Sequence, residues 1–225
     1  GDPLRLAKKS RDAFPALISD LDSDVDHNPI GMTVLAETEP YWEPLRETSL
    51  AQQASGADIV LLDNRQLREL EPALAPYVYG GVYAQGDSYV NPMLFTFAIA
   101  RAARRYGCKM LLRTKATSIE QENGRVAAVL TDAGRIRTKW AVNAAGPWAP
   151  EIGRTVGEDL PIVPRRGQVC ITEATATRVR THVRSSATIR AKHEEEKPSD
   201  PTDPVPGVAL MPTTGGGILL GSTYE

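Results

Sequence analysis

Leu4, Leu6, Ala7, Phe14, Leu17, Ile18 and Leu21 recur mostly at three- and four-residue intervals, the period of one helix face. The spacing predicts an amphipathic surface helix over the first 21 residues, despite Pro15 in its middle. The period then changes: Ile30-Gly31-Met32-Thr33-Val34-Leu35-Ala36 is a short β-rich run, and 39–55 returns to helical spacing until Gly56 stops it. Asp58-Ile59-Val60-Leu61-Leu62 predicts a second strand, followed by a helix opened by a capping box of Asp63 and Gln66 and closed by Pro72. Asn91 and Pro92 suit the N-cap and first position of another helix. Its apolar stripe is Leu94, Phe95, Ala98, Ile99, Ala102 and Tyr106, and it ends at Gly107. Arg101, Arg104 and Arg105 fall on its wet side, near the negative end of the helix dipole.

From Cys108 onward the period becomes strand-like. Segments 109–113, 116–121, 125–130 and 135–140 are separated by turn residues and predict a β-meander. Asn123-Gly124 suits a tight hairpin in which both central residues need positive φ, and Asp132-Ala133-Gly134 supplies a slightly longer second turn. A buried strand at 140–143 is expected to run into Ala144-Ala145-Gly146, with Pro147 opening the next helix. One long strand is predicted over 163–172, and a terminal hairpin over 207–211 and 217–222 around Thr213-Thr214-Gly215-Gly216. Segment 190–206 has almost no apolar content and several prolines, so a mobile surface loop is expected there.

Composition narrows the partners. A formal net charge of −2 gives no general attraction for nucleic acid or anionic lipid. The longest apolar runs, 126–130 and 218–220, fall far short of the roughly 20 residues a membrane-spanning helix needs, so no transmembrane segment is expected. The first 20 residues lack the pattern of a secretory signal, and Cys108 and Cys170 have no second metal or redox partner nearby. A reducing, cytoplasmic setting is expected. His27, His182 and His193 stand without metal-ligand spacing and read as surface histidines, so no metal site is expected. No G-x-S-x-G, Walker loop, H-E-x-x-H or C-x-x-C is present, and no catalytic side chain is assigned. Gly215-Gly216-Gly217 sits in a hairpin and turns the chain. Asn143-Ala144-Ala145-Gly146-Pro147-Trp148 is more informative: a strand loses its side chains just before a helix begins, which lets a flat ligand approach the backbone. Tight strand-helix packing explains the same pattern equally well.

The stretch from Asn143 through Gly153 and Gly157 to Leu160-Pro161-Ile162-Val163-Pro164-Arg165-Arg166-Gly167-Gln168 resembles the D-amino-acid oxidase (DAO) family of FAD-dependent oxidoreductases. The branch it resembles is that of glycine oxidase, sarcosine oxidase and D-amino-acid dehydrogenase. Gly31 to Ala36, Leu70-Glu71-Pro72, Asp87-Ser88-Tyr89-Val90-Asn91-Pro92 and Leu219-Leu220-Gly221-Ser222-Thr223 extend the resemblance, in family order, over nearly the whole chain. It implies FAD as cofactor, held by the Ala116 strand through backbone contacts and by Ala144, Ala145, Gly146 and Trp148. Tyr224 and Arg166 become expected substrate-binding residues. Family members often carry Val at the place of Ala116, and a carboxylate-binding Tyr at the place of Ala209, a departure that speaks against a simple glycine-like substrate.

The implied fold is α/β (α+β), with a mixed, largely antiparallel substrate-side sheet, flanking helices and part of an FAD-binding domain. The expected division is a substrate-side region at 1–107, a partial FAD-binding region at 108–160, and a return to the substrate sheet at 161–225. The resemblance further implies a central piece of a longer enzyme, without the G-x-G-x-x-G opening or the closing glycine-rich segment, and inactive when isolated. The implied activity is oxidation of the C–N bond of an amino acid or secondary amine by hydride transfer to flavin. Oxidation of a hydroxy acid or glycerol phosphate on the same fold is the alternative within that chemistry, and a non-catalytic binding or assembly module is the alternative outside it. A partner subunit or a homo-oligomer is compatible with each.

Overall fold

The structure is a computed structural model, and it describes residues 2–164, 166–187 and 209–221. Its elements in chain order are α1 (Asp2–Leu21), β1 (Met32–Ala36), α2 (Glu39–Ala54), β2 (Ile59–Asp63), α3 (Asn64–Leu70), β3 (Gly80–Ala84), α4 (Pro92–Arg105), β4 (Ala116–Glu122), β5 (Arg125–Thr131), β6 (Gly134–Arg137), α5 (Ala149–Arg154), β7 (Val169–Ile171), β8 (His182–Ser185), β9 (Ala209–Pro212) and β10 (Ile218–Gly221). The chain divides into two units, one of residues 1–103 with 166–225 and one of residues 104–165.

The first unit is built on a seven-stranded sheet in the order β2-β3-β1-β8-β9-β10-β7. Every neighbouring pair is antiparallel except β1 and β8, which run parallel. The expected mixed, largely antiparallel sheet with flanking helices is therefore present. Strand alternation gives the sheet two unlike faces. Leu62, Leu35, Val183 and Leu210 share one face and pack with Leu67 of α3, Val78, Leu74 and Val179. On the other face α2 covers β3, where a Cβ added at Gly80 would lie 3.3 Å from the Trp42 ring. A separate apolar cluster joins α1 and α4 through Leu21, Val25, Ala98 and Ala102, backed by Ile18, Val90 and Phe95.

Local chemistry fixes the helix starts as expected. The Asp63 carboxylate accepts from the Gln66 N–H at 2.7 Å, and the Asp63 N–H donates to Gln66 Oε1 at 3.0 Å, closing the capping box of α3. Asn91 Oδ1 accepts from the N–H groups of Met93 and Leu94, capping α4.

Where α3 ends, Glu71 turns inward and is 1% exposed. Its carboxylate accepts from the backbone N–H of Arg180 at 3.0 Å, from the N–H of Thr181, and from the Thr181 hydroxyl at 2.7 Å. Thr181 Oγ1 lies 2.7 Å from Thr33 Oγ1 on β1, so one buried polar chain ties the end of α3, the entry to β8 and the central strand.

The second unit is a meander, β4-β5-β6, with α5 against β4. Asn123 and Gly124 have φ of 53° and 72°, and Glu122 pairs with Arg125 across them, as the two-residue hairpin requires. The second turn is shorter than expected, because Thr131 pairs with Gly134 and leaves only Asp132 and Ala133 between.

Several expected strands are corrected. Segments 109–113 and 140–143 form none, because they enter no ladder among the described residues and strand-like sequence alone supplies no hydrogen-bond partner. Far from buried, Val142 is 92% and Trp140 86% exposed. The long strand over 163–172 shrinks to Val169–Ile171, the part that pairs with β10. Strands β3 and β8 were not expected at all. The predicted loop at 190–206 and the outer ends of the terminal hairpin lie outside the described residues.

Glu71→Ala leaves the inward N–H groups of Arg180 and Thr181 without their acceptor, while the Thr181 hydroxyl can still turn to Thr33, and the expected loss of stability is on the order of 2–3 kcal/mol. Glu71→Gln keeps an amide oxygen there and is expected to lose less. Urea unfolding of the two variants beside the wild type checks both the size and the order.

Candidate functional site

In the second unit the residues expected to face a cofactor sit on β4 and on one turn. Ala116 opens β4 opposite Thr131 and is exposed, with a register shift between it and Ser118. Ala144 and Ala145 precede a 3-10 turn at Gly146–Trp148, so α5 begins at Ala149 rather than at Pro147. The Asn143 side chain shapes this turn: its Nδ2 donates to the Ala149 carbonyl at 2.9 Å and its Oδ1 accepts from the Ala145 N–H. The Trp148 N–H donates to the Ala145 carbonyl at 3.0 Å. Behind the turn, Ala149, Pro150 and Gly153 are buried, and Thr155 Oγ1 accepts from the Ile119 N–H at 3.1 Å, which joins the end of α5 to β4.

The turn leaves open space in front of it. Gly146 has φ of 54°, and a Cβ built there would meet no atom within 4 Å. Ala144 is exposed, Ala145 is half-buried, and Trp148 is 65% exposed. Small side chains, an accessible backbone and an exposed indole suit a flat aromatic ligand that reads backbone edges.

In the first unit, the sheet face away from the α3 core is uncovered by helices across β8, β9, β10 and β7 among the described residues. Pairing register places His182, Arg184, Ala209, Met211, Leu219 and Ile171 on it. Ile171 is 66% exposed, and the four non-polar side chains from Ala209 to Ile171 make an apolar strip beside two basic residues. Burial holds the His182 imidazole below its ordinary pKa, and the nearby Arg184 guanidinium adds to the effect. Arg166 stands exposed ahead of β7, whereas Tyr224 lies outside the described residues. Sequence reading passed over Arg184 and took His182 for an ordinary surface histidine. The available signal was the His-x-Arg alternation, which puts both on one strand face once β8 is recognised.

A further open cleft of about 640 Å³ lies in the same unit, lined by residues that include Lys8, Arg11, Phe14, His27, Asp87 and Tyr89. Burial pushes the Asp87 carboxyl up, against the opposing pull of Arg11. The Tyr89 hydroxyl donates to the Pro212 carbonyl, linking this cleft to the end of β9. Among the described residues no group of His, Cys, Asp or Glu could hold a metal ion.

Comparison with known proteins gives this geometry its class. The family described as FAD dependent oxidoreductase (DAO) matches residues 2–225, and the chain belongs to that family. It is similar to D-amino acid dehydrogenase of Agrobacterium fabrum, 30% identical over 167 residues that make up 73% of this chain and 40% of that protein. Hydrogen cyanide synthase subunit HcnC of Pseudomonas aeruginosa is 34% identical over 114 residues, 50% of this chain and 27% of that protein. The crystal structure of glycine oxidase from Geobacillus kaustophilus superposes with a TM-score of 0.83 at 25% identity, covering 99% of this chain and 55% of that one. The chain thus spans about half the length of that oxidase and less of the curated relatives. The cofactor of the family is FAD, and the shelf around Ala144, Ala145, Gly146 and Trp148 fits a flat ring system of that kind.

The folded protein resists protonation of His182 more than the unfolded chain does. Below the ordinary histidine value of about 6.5, the unfolded state therefore binds more protons. Stability is expected to be full above that pH and to fall as pH drops through the folded pKa. His182→Gln should flatten this part of the profile, as read by urea unfolding at a series of pH values.

Proposed function

We propose that the whole protein oxidises the C–N bond of an amino acid or secondary amine, with FAD as the acceptor. The observation that carries this reading is the similarity to D-amino acid dehydrogenase across 73% of the chain. The open sheet face supports it, since a basic pair beside an apolar strip suits a small substrate with one charged end. When bound, FAD supplies the chemistry by accepting a hydride from the carbon attached to nitrogen. The residues of this chain bind and orient: Ala116, Ala144, Ala145, Gly146 and Trp148 are assigned to the cofactor, and Arg166 and Tyr224 to the substrate side. Segment 108–160 is read as part of the FAD-binding region, with 1–107 and 161–225 on the substrate side. The separate compactness of 104–165 supports that division. No helix of the described residues is long and apolar enough to cross a membrane, and a cytoplasmic enzyme, as a homo-oligomer or with a partner subunit, completes the reading.

The test is the visible spectrum of the purified full-length protein during anaerobic addition of amino acids, secondary amines and hydroxy acids. Bound flavin bleached by the nitrogen compounds is the expected result, and the 225 residues alone are expected to hold FAD far more weakly. Bleaching by hydroxy acids alone would move the activity to C–O oxidation, and a full-length protein without flavin would leave a binding module.

A further inference from the structure

The cleft of about 640 Å³ in the first unit lies between α1 on one side and, on the other, the start of β2 and the connection from β3 to α4. Pockets of roughly 300–1,000 Å³ suit small ligands. Lys8 and Arg11 stand one helical turn apart on the α1 wall. Asp58 and Asp87 stand on the other wall, at the same end of the paired strands β2 and β3, whose register sets Ile59 against Ala84. The two walls therefore carry opposite charges.

These charges do not neutralise one another. No ion pair joins Lys8 or Arg11 to Asp58 or Asp87 among the described residues. The Lys8 ammonium donates to the Gly56 carbonyl at 3.0 Å, a neutral acceptor that takes one of its three N–H groups and leaves its charge uncompensated. Arg11 turns Nε and Nη2 to Asp12 at 3.3 and 3.2 Å. Its Nη1 lies over Gly86, where an added Cβ would come within 2.9 Å of it. Burial raises the Asp87 carboxyl, and the Arg11 charge offsets only part of that, so the carboxylate is still short of positive charge. One turn on from Arg11, Phe14 adds an apolar surface, with its ring centroid 5.5 Å from that of His27.

We propose that this cleft is a binding site for a free α-amino acid with an apolar side chain: the carboxylate docks on Lys8 and Arg11, the ammonium on Asp87, and the side chain on Phe14 beside His27. A zwitterion answers both walls at once. A simple anion would meet Asp58 and Asp87 as well as the cations, and a simple cation would meet Lys8 and Arg11 as well as the carboxylates. None of the residues assigned above to cofactor or substrate lines the cleft, so the site goes beyond the proposed oxidation and does not rest on it.

The test uses the full-length, FAD-loaded protein, kept anaerobic with its flavin already reduced so that turnover does not consume the probe. The His27 ring signal, assigned by its loss in His27→Gln, is followed by NMR during addition of racemic leucine. Isocaproate, which lacks the ammonium, and isoamylamine, which lacks the carboxylate, are added in separate titrations. Leucine is expected to shift the signal saturably with half-saturation on the order of millimolar, and each analogue to need at least about tenfold more. Lys8→Gln and Asp87→Asn should each weaken leucine about 5- to 10-fold, as the loss of one partly exposed charge pair does. Lys8→Arg keeps the charge and should hold the affinity within about twofold. No His27 shift with leucine, an isocaproate affinity equal to that of leucine, or leucine binding that Lys8→Gln and Asp87→Asn leave unchanged overturns the proposal. Each of those results leaves the amine oxidation standing, and a flavin that no nitrogen compound bleaches removes that function without touching this site.

Discussion

The first unit depends on one buried carboxylate. Glu71, turned out of the helix ahead of Pro72, reaches across to receive two backbone N–H groups and a hydroxyl at the entry to β8. A parallel strand pair needs a long connection between its members, and the chain between β1 and β8 passes through most of both units before returning. Local sequence cannot set the register of such a pair. The Glu71-Thr181-Thr33 chain does, because shifting β8 by one residue would strand the carboxylate away from its donors and turn Val183 out of the core.

Correct register is what makes the two faces of the sheet different. With Val183 and Ser185 inward, His182 and Arg184 must be outward, and Ala209 is brought beside Arg184 from a strand far along the chain. The electrostatics follow from the same geometry. Burial favours the neutral His182 imidazole, and the Arg184 charge two positions along the same strand face adds to the effect, so the permanent charge on this face is at Arg184.

What could be read from the sequence were the features encoded locally. The capping box at Asp63 and Gln66, the Asn91 cap and the Asn123-Gly124 turn each depend on a few adjacent residues, and each formed as read. Strand β3 escaped because it opens with Gly80-Gly81, a poor strand signal; those glycines serve packing, since a Cβ at Gly81 would meet the Val34 carbonyl at 2.8 Å and the Leu67 side chain at 3.2 Å. Strand β8 escaped because its buried neighbourhood is rich in Thr181, Ser185 and Ser186, which read as polar and exposed; Thr181 is buried by meeting Glu71 and Thr33, both far away in sequence. The turn at Ala144 to Trp148 was legible in the local pattern, whereas the placing of Arg184 beside Ala209 depends on a register pairing between distant segments. Segments 109–113 and 140–143 erred in the opposite direction: they had strand composition without a strand.

That last mismatch carries physical information of its own. Trp140 and Val142 alternate with small and polar residues as a strand would, and both are almost fully exposed. Burying one large apolar side chain is worth roughly 1.5–3 kcal/mol, so this segment forgoes several kcal/mol in the conformation described. Its backbone groups also enter no ladder among the described residues. The same stretch leads directly into the Ala144 to Trp148 shelf. The turn itself is shaped by its own residues, through the Asn143 side chain and the helix behind it, and so does not depend on a ladder along 140–143.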